Sequence, residues 1–494
     1  MKVMRIKNKF LIIVAIALLF IPTSCNDDIL YLEPYGSLSN EIVFSSVDDF
    51  ETALMGVYSG FRSGSYYGKN FLVLADIMTD NVYAKTGFTN AYGYVHTWNV
   101  QPGTSEFENF FYAAYRVIVR ASNVINYSEG FTPTPNTEEE RQRLRQIRGE
   151  AFFARALAHF DLLRVYAPVY NAATAATDLG VPVITVSEVG NPPRATVARV
   201  YDQIFSDIAA AKERMTTLSW STKFRFTPTV AEALLSRIYL YRGEWDLSIA
   251  ASNNVISAIP VTNLISDQTA LRNMYRDDMG SEIIFHFIIA NLQENPGSIG
   301  SEYIGPQPGV RIAPNYLVTP ELASLYDPFD DRRFLAFVKT NVLLTGTNIR
   351  GITAEKYIGR ADLARGVNSA KPFMLPEIYL NKAEAHAMKG TEDVFANAAL
   401  DSLLTRRIVN YTPQNLTGQA LIDQIRLERR KELAFDGHYW FDLKRWNQGF
   451  QRIANPLSNF PNDLIINPGD YRWLWPIPQH EMNVNNNMKQ NNGY

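Results

Sequence analysis

A single cysteine, Cys25, stands in 494 residues. No disulfide can form within such a chain, which excludes the cystine framework of many secreted domains. Histidine is scarce as well. His96, His159, His286, His386, His438 and His480 lie scattered, with no HExxH pair and no His/Cys cluster at metal-ligand spacing, so neither a metal nor a cofactor is expected. Charge of one sign is not in excess. Lys and Arg number 47 against 50 Asp and Glu, a net charge of −3 that leaves no basic footprint for nucleic acid. Phosphate-loop chemistry is missing too: Gly64 to Lys69 (GSYYGK) is one residue short and has no Ser or Thr after the lysine. No GxSxG occurs, and no local motif singles out an acid/base pair among the carboxylates. The chain is not expected to be an enzyme.

One apolar run bears on targeting, Phe10 to Ile21 (FLIIVAIALLFI), behind Lys2, Arg5, Lys7 and Lys9. At helical rise it would span only about 18 Å, short of the roughly 30 Å hydrocarbon core of a bilayer. It reads as the core of a secretory signal over residues 1–24. Pro22-Thr23-Ser24-Cys25 resembles a bacterial lipobox, although Pro22 stands where Leu or Val is usual. Cys25 would then be the acylated N-terminus, and two or three acyl chains suffice for firm anchoring. Asn26-Asp27-Asp28 resembles the acidic signal that sends lipoproteins to the cell exterior.

What the chain has in quantity is aromatic residues: 26 Tyr, 28 Phe and 7 Trp, 12% in all. That exceeds what a core of Leu and Val needs, so some rings are expected on the surface, where a flat apolar face with a polar edge suits ligand contact. The periodicity is helical. Val47 to Arg62 sets Phe50, Ala53, Leu54, Val57 and Phe61 on one face, and Phe107 to Asn126 forms a second helix. Glu138 to Tyr166 forms a third, with Phe152, Phe153, Ala156, Leu157, Phe160 and Leu163 in a stripe that Pro168 ends. Pro193 and Thr196 open another, running to about Met215. Thr227 to Ile256 and Met374 to Leu404 share one pattern: a helix ending at Gly243 or Gly390, then a second helix with small residues at Ala250, or at Ala396 and Ala398. Helix, glycine turn, helix is the plan of tetratricopeptide repeats. Residues 257–370 are poor in helical periodicity and rich in Gly, Pro and Asn, as functional surface loops often are.

On these residues the chain resembles the SusD/RagB family of outer-membrane nutrient-binding lipoproteins from end to end. Leu32-Glu33-Pro34, Phe44, Ala53, Leu54, Gly56 and Tyr58 are similar to the family's opening, and Gly149 to Tyr166 to its long repeat helix. Asp331-Arg332-Arg333, Glu355-Lys356-Tyr357 and Pro376 to Ala385 (PEIYLNKAEA) resemble its middle signatures. Glu428 to Trp446 (ERRKELAFDGHYWFDLKRW) is the most specific match, and Leu474 to Pro478 with Gln490 to Tyr494 resemble the C-terminus. The resemblance implies a mainly α fold of about four tetratricopeptide-type helix pairs, topped by an irregular, ligand-facing half. Residues 25–494 would form one SusD/RagB-like domain, with parts of about 25–225 and 226–494 interleaved. It further implies a lid on a SusC-like TonB-dependent transporter at the outer membrane, capturing oligosaccharides or, in RagB-like branches, peptides. Charges interleaved with large apolar residues in Glu428 to Trp446 are expected to tie helix ends to loops rather than to touch a ligand.

Sugars present C–H faces and hydroxyl rims, so their sites pair exposed flat rings with amides, carboxylates or guanidinium groups. Two regions have that mixture. Asp80 to Trp98 supplies the candidates Asn81, Tyr83, Phe88, Tyr92, Tyr94 and Trp98, in the stretch where starch-binding members carry stacking aromatics. The alternation Tyr92, Tyr94, His96, Trp98 equally fits a strand packing inward. Asn291 to Tyr316 supplies Asn295, Tyr303 and Arg311. A third class of protein, a scaffold that binds only other proteins through its repeats, is weighed against by the lipobox and the aromatic loops.

Overall fold

The computed structural model describes residues 44–216, 218–294, 297–304, 313–345 and 347–494; the lipobox with Cys25, and the candidates Asn295 and Arg311, lie outside them. Ser46 to Tyr494 forms one compact unit. Its first helix, α1 (Val47–Phe61), begins in a capping box: Ser46 accepts from the Asp49 amide, and the Asp49 carboxylate accepts from the Ser46 amide at 2.8 Å. Short α2 (Asn70–Ile77) follows, then α3 (Ser105–Ser128) and α4 (Glu138–Tyr166). Thr196 caps α5 (Val197–Arg214), as Thr227 caps α6 (Pro228–Arg242). Gly243, at φ +72°, takes the left-handed turn that closes α6 and starts α7 (Trp245–Ala258). Next come α8 (Gln268–Asp277), α9 (Leu375–Met388), α10 (Asp393–Arg407), α11 (Gly418–Leu433), α12 (Tyr439–Arg445) and α13 (Gln479–Val484).

Four helix pairs pack in succession: α1 with α3, α4 with α5, α6 with α7, and α9 with α10, while α11 lies against α9. Small polar residues hold α6 and α7 close. Ser236 and Ser252 hydroxyls meet at 2.8 Å, Ser248 donates to the Ser236 carbonyl, and Asn381 of α9 donates to Ser236 Oγ. The apolar stripe expected on α4 is buried except for Phe152, which lies under the guanidinium groups of Arg148, Arg155 and Arg214 at 5.3 to 5.8 Å. From Gly149 onward α4 is enclosed on nearly every side, as a central helix must be.

Strands are few and short: β1 (Val82–Ala84), β2 (Ile283–Phe287), β3 (Tyr316–Val318), β4 (Val338–Leu343), β5 (Arg350–Ala354), β6 (Ala370–Met374), β7 (Phe450–Arg452) and β8 (Leu464–Ile466). They pair antiparallel as β1–β3, β2–β6, β4–β5 and β7–β8. Residues 257–370, expected as loop, therefore contain α8, two one-turn helices at Ser301–Ile304 and Pro320–Ala323, and four of these strands. The fold is mainly helical, as expected.

The charged signatures turn inward. Arg333 donates to Asp331 at 2.8 Å and to Glu428 at 2.7 Å. Arg407 bridges Glu282 and Glu432 at 2.8 to 2.9 Å. Lys356 donates to Asp436 at 2.7 Å, and Asp436 also accepts from Tyr357 and Tyr275. Arg429 meets Asp442 and Asn381, Arg237 meets Glu377, and Arg445 forks onto Glu384. Burial pushes the Glu384 carboxyl up, but Arg445 outweighs it and holds it at about 2. The motifs DRR, EKY, PEIYLNKAEA and ERRKELAFDGHYWFDLKRW thus converge on one buried ionic skeleton. At the C-terminus, Trp475 packs on Phe107 with ring centroids 4.2 Å apart, and Asn491 donates to the carbonyls of Tyr166 and Trp475.

Candidate ligand-binding surface

The β1–β3 pairing, with Val82 opposite Val318 and Ala84 opposite Tyr316, lays the segment after β1 beside residues 313–318. That segment is pinned from below. Buried Arg452 donates to the carbonyls of Ile77, Thr79 and His96, and burial lowers its pKa to about 10. His96 accepts from the Ala84 amide on Nε2 at 3.3 Å, so Nδ1 donates to the Ile77 carbonyl at 2.9 Å. Burial keeps this imidazole neutral.

The strand that the alternation over Tyr92–Trp98 fits equally well is not formed. A single helical turn, Gly93–His96, stands there, between Tyr92 and Trp98 with φ of +57° each. Two left-handed residues interrupt the extended geometry a strand requires. Asn90, at +63°, is a third left-handed residue within nine positions. Such backbone costs of order 1 kcal/mol or more at each non-glycine residue, and it concentrates at binding sites where the surroundings hold it. Here Tyr92 is held by its hydroxyl, which donates to Asn70 at 2.7 Å, and by Lys69 at 5.3 Å over its ring. Gly93 has no room for a side chain: a Cβ there would lie 2.1 Å from Asn90 Oδ1 and 3.3 Å from the Phe88 ring.

The structure divides the sequence candidates. Trp98 is only 1% exposed; its indole donates to the Met78 carbonyl at 2.6 Å and meets Trp473 edge-on at 4.9 Å. Tyr83 packs with Leu317 and Leu344. Asn81 links Asp76, to which it donates at 2.7 Å, with Arg430, from which it accepts at 2.9 Å. Tyr303 is buried edge-on against Phe435. A ring or amide so enclosed presents no face to a passing polymer, because inward packing won the alternation. Tyr94 is different, 64% exposed. Phe88 and Tyr92 are half-buried, and Phe88 meets the rings of Tyr316 and Phe460.

Beside these three rings runs a polar row that sequence reasoning did not single out. Thr89 donates through its amide and hydroxyl to Asn315 Oδ1, Asn315 donates to Glu302 at 2.8 Å, and Lys69 donates to Glu302 at 2.6 Å. Lys69 ends the GSYYGK run, and Glu302 and Asn315 fall in the second loop region, but only the fold brings them together. Rings bordered by the Lys69 ammonium and the Asn315 amide, which the buried Glu302 carboxylate holds in place, can grip a sugar's C–H face and its hydroxyls together.

Beneath this surface, in α2, Asp76 carries a testable charge. Burial raises its carboxyl from 3.8 to about 7, against the hydrogen bonds from Asn81 and Phe435 that lower it. The native state thus holds a proton that the unfolded chain releases near 3.8, and its share of stability is full below that value and is lost as pH rises to about 7. Asp76→Asn removes the loss, so the variant should gain on the parent in melting temperature as pH rises from 4 to 8. A difference that is constant across that range would contradict the assignment.

Fold and surface together describe a mainly helical protein whose candidate site lies in loops carried by helix pairs. A family model described as "Starch-binding associating with outer membrane" matches residues 32–240, and the SusD family model matches residues 347–494. The chain belongs to the SusD/RagB family, a family of binding proteins that associates with the outer membrane. It is 23% identical to SusD-like protein P38 of Formosa agariphila, over 98% of this chain and 99% of that protein. The structure is similar to that of a SusD superfamily protein from Bacteroides thetaiotaomicron, at TM-score 0.78 and 26% identity, covering 90% of this chain and 99% of the other. A SusD-like carbohydrate binding protein from Bacteroides vulgatus shares the fold at TM-score 0.76 and 21% identity, over 90% and 98% of the two chains.

Proposed function

We propose that this protein is a cell-surface lipoprotein that captures oligosaccharides and passes them to a SusC-like TonB-dependent transporter of the outer membrane. Residues 1–24 act as the signal, acylated Cys25 as the anchor, and residues 25–494 as one binding domain facing the cell exterior. The observation that carries the reading is the exposed ring of Tyr94 on the same loop as half-buried Tyr92 and Phe88, beside Lys69 and Asn315, which buried Glu302 holds. The carbohydrate-binding relative of the same fold and the starch-binding family description support it. Asn295 and Arg311, in the second loop region, remain candidates for the same site. The body itself performs no chemistry; it holds the rings in place for stacking. Calorimetry of the mature protein against a polysaccharide panel, with a peptide mixture alongside, tests the reading. Saccharide binding that competes with no peptide is expected, and binding of peptides alone would replace glycan by peptide capture.

A further inference from the structure

A groove of about 690 Å³ opens beside β2, away from the aromatic loop. Lys223, Phe224, Met279, His286, Ile288 and Arg360 line it. The amide of His286 donates to the Lys223 carbonyl at 2.9 Å, which seats residue 223 against the strand. The acids of this groove are already engaged. Asp278 accepts from Lys371 at 2.7 Å, Asp277 from Arg276 at 2.7 Å, and Asp362 from both edges of Arg360 at 2.6 and 2.9 Å. Lys223 is the exception among the lining charges. Its ammonium donates to the Gly280 carbonyl at 2.5 Å, and among the described residues no carboxylate lies within ion-pair distance of it. It also lies 5.7 Å from the centre of the Trp220 ring, but half-buried and with no carboxylate opposite it, that charge gains when an anion meets it. A second group waits for a partner. His286 is only 8% exposed, and its buried Nδ1 has no hydrogen-bond partner among the described residues. Its imidazole is neutral at physiological pH, because burial and then Lys371 lower its pKa to about 4. The rim is apolar, with Phe224, Ile288 and the 76% exposed Met279.

We infer that this groove is a second subsite that takes an acidic sugar, its carboxylate on Lys223 and its ring against Phe224 and Met279. The inference rests on the glycan reading of the aromatic loop and extends it to a substrate class. One segment joins the two places: Arg62 donates to the Ile288 carbonyl at the groove, and Lys69 donates to Glu302 at the loop. Arg62 and Lys69 stand seven positions apart, so their Cα atoms lie at most about 25 Å apart. That span is within the reach of one oligosaccharide, and two linked contacts bind more tightly than either alone where one chain meets both.

The test compares oligogalacturonate, oligoglucuronate and oligomannuronate with their methyl esters, which keep the sugar and remove the charge, using the full mature protein in calorimetry. The parent should bind at least one free acid about tenfold more tightly than its ester. Lys223→Gln should erase that preference with an unchanged melting temperature, and Lys223→Arg should restore most of it. Equal affinity of acid and ester, no binding of any oligouronate, or a preference that survives Lys223→Gln overturns the inference. So does a Lys223-dependent gain for peptides with a free C-terminal carboxylate. If Tyr94→Ala still weakens neutral saccharides while acid and ester bind alike, the inference fails and the glycan reading stands. If Tyr94→Ala changes nothing while the Lys223-dependent preference holds, the aromatic platform is the part that fails.

Discussion

Arg407→Ala is expected to remove a large part of this protein's stability. The guanidinium of Arg407 is fully buried and donates to Glu282, Glu432 and the Ile265 carbonyl, at 2.7 to 3.1 Å. Its removal leaves two carboxylates in the interior with no bulk water to solvate them. Breaking a buried pair from one side costs about 3–5 kcal/mol, a large part of the 5–15 kcal/mol that a folded domain typically holds. Chemical denaturation should show the midpoint falling with little change in slope, as for a loss of stability without a new denatured state. The loss should also depend on pH. Burial already raises the Glu282 carboxyl, and without Arg407 it stands further above the unfolded value of about 4.3, while Glu432 keeps Arg333 beside it. The native state then binds protons more tightly than the unfolded one, so the deficit is smaller at pH 5 and grows as pH rises to 8. Replacing Arg407, Glu282 and Glu432 together by uncharged residues should recover much of the loss. A single variant as stable as the parent would mean that the skeleton is solvated and contributes little.

That skeleton explains which parts of the protein were legible in the chain. Helices with strong periodicity and clear ends were: α4 runs from Glu138 to Tyr166, and α6 stops at Gly243, where the glycine turn was expected. The charged motifs were legible as family signatures because a buried ion pair needs both partners, so their residue types cannot drift independently. The reading that they are structural follows from their alternation with large apolar residues, and the structure buries them accordingly. The ligand surface was less legible. An aromatic residue in a polar loop serves a core or a stack equally well, and the sequence around Tyr92 to Trp98 carries no mark that separates them. What decides is backbone: the left-handed turns at Tyr92 and Trp98 send Tyr94 outward and Trp98 inward. Lys69, Glu302 and Asn315 come together only through long-range pairing, with Lys69 and Glu302 233 positions apart, and no local pattern announces that.

Tyr94→Ala and Trp98→Ala should therefore separate, although the two residues lie four positions apart. Tyr94 is exposed and its hydroxyl has no hydrogen-bond partner among the described residues, so its removal should leave stability within about 0.5 kcal/mol, as for surface changes away from special features. If it stacks on the sugar, the loss should fall on affinity, about tenfold or more, the effect of removing an aromatic anchor from a contact. Trp98 reverses the pattern. Its indole fills the space between Met78, Phe450 and Trp473, and a large-to-small change at such a site costs about 3–5 kcal/mol. Arg472 above it would also lose the ring over which its guanidinium sits at 5.8 Å. Saccharide affinity of whatever Trp98→Ala protein remains folded should change far less than its melting temperature. The two measurements on the two variants form a cross, and each arm is informative. If Trp98→Ala lowers affinity at an unchanged melting temperature, the left-handed turn must open in solution to expose the indole. If Tyr94→Ala leaves every saccharide bound as before, the polymer does not stack on this platform, and the loop's strained turns serve the fold alone.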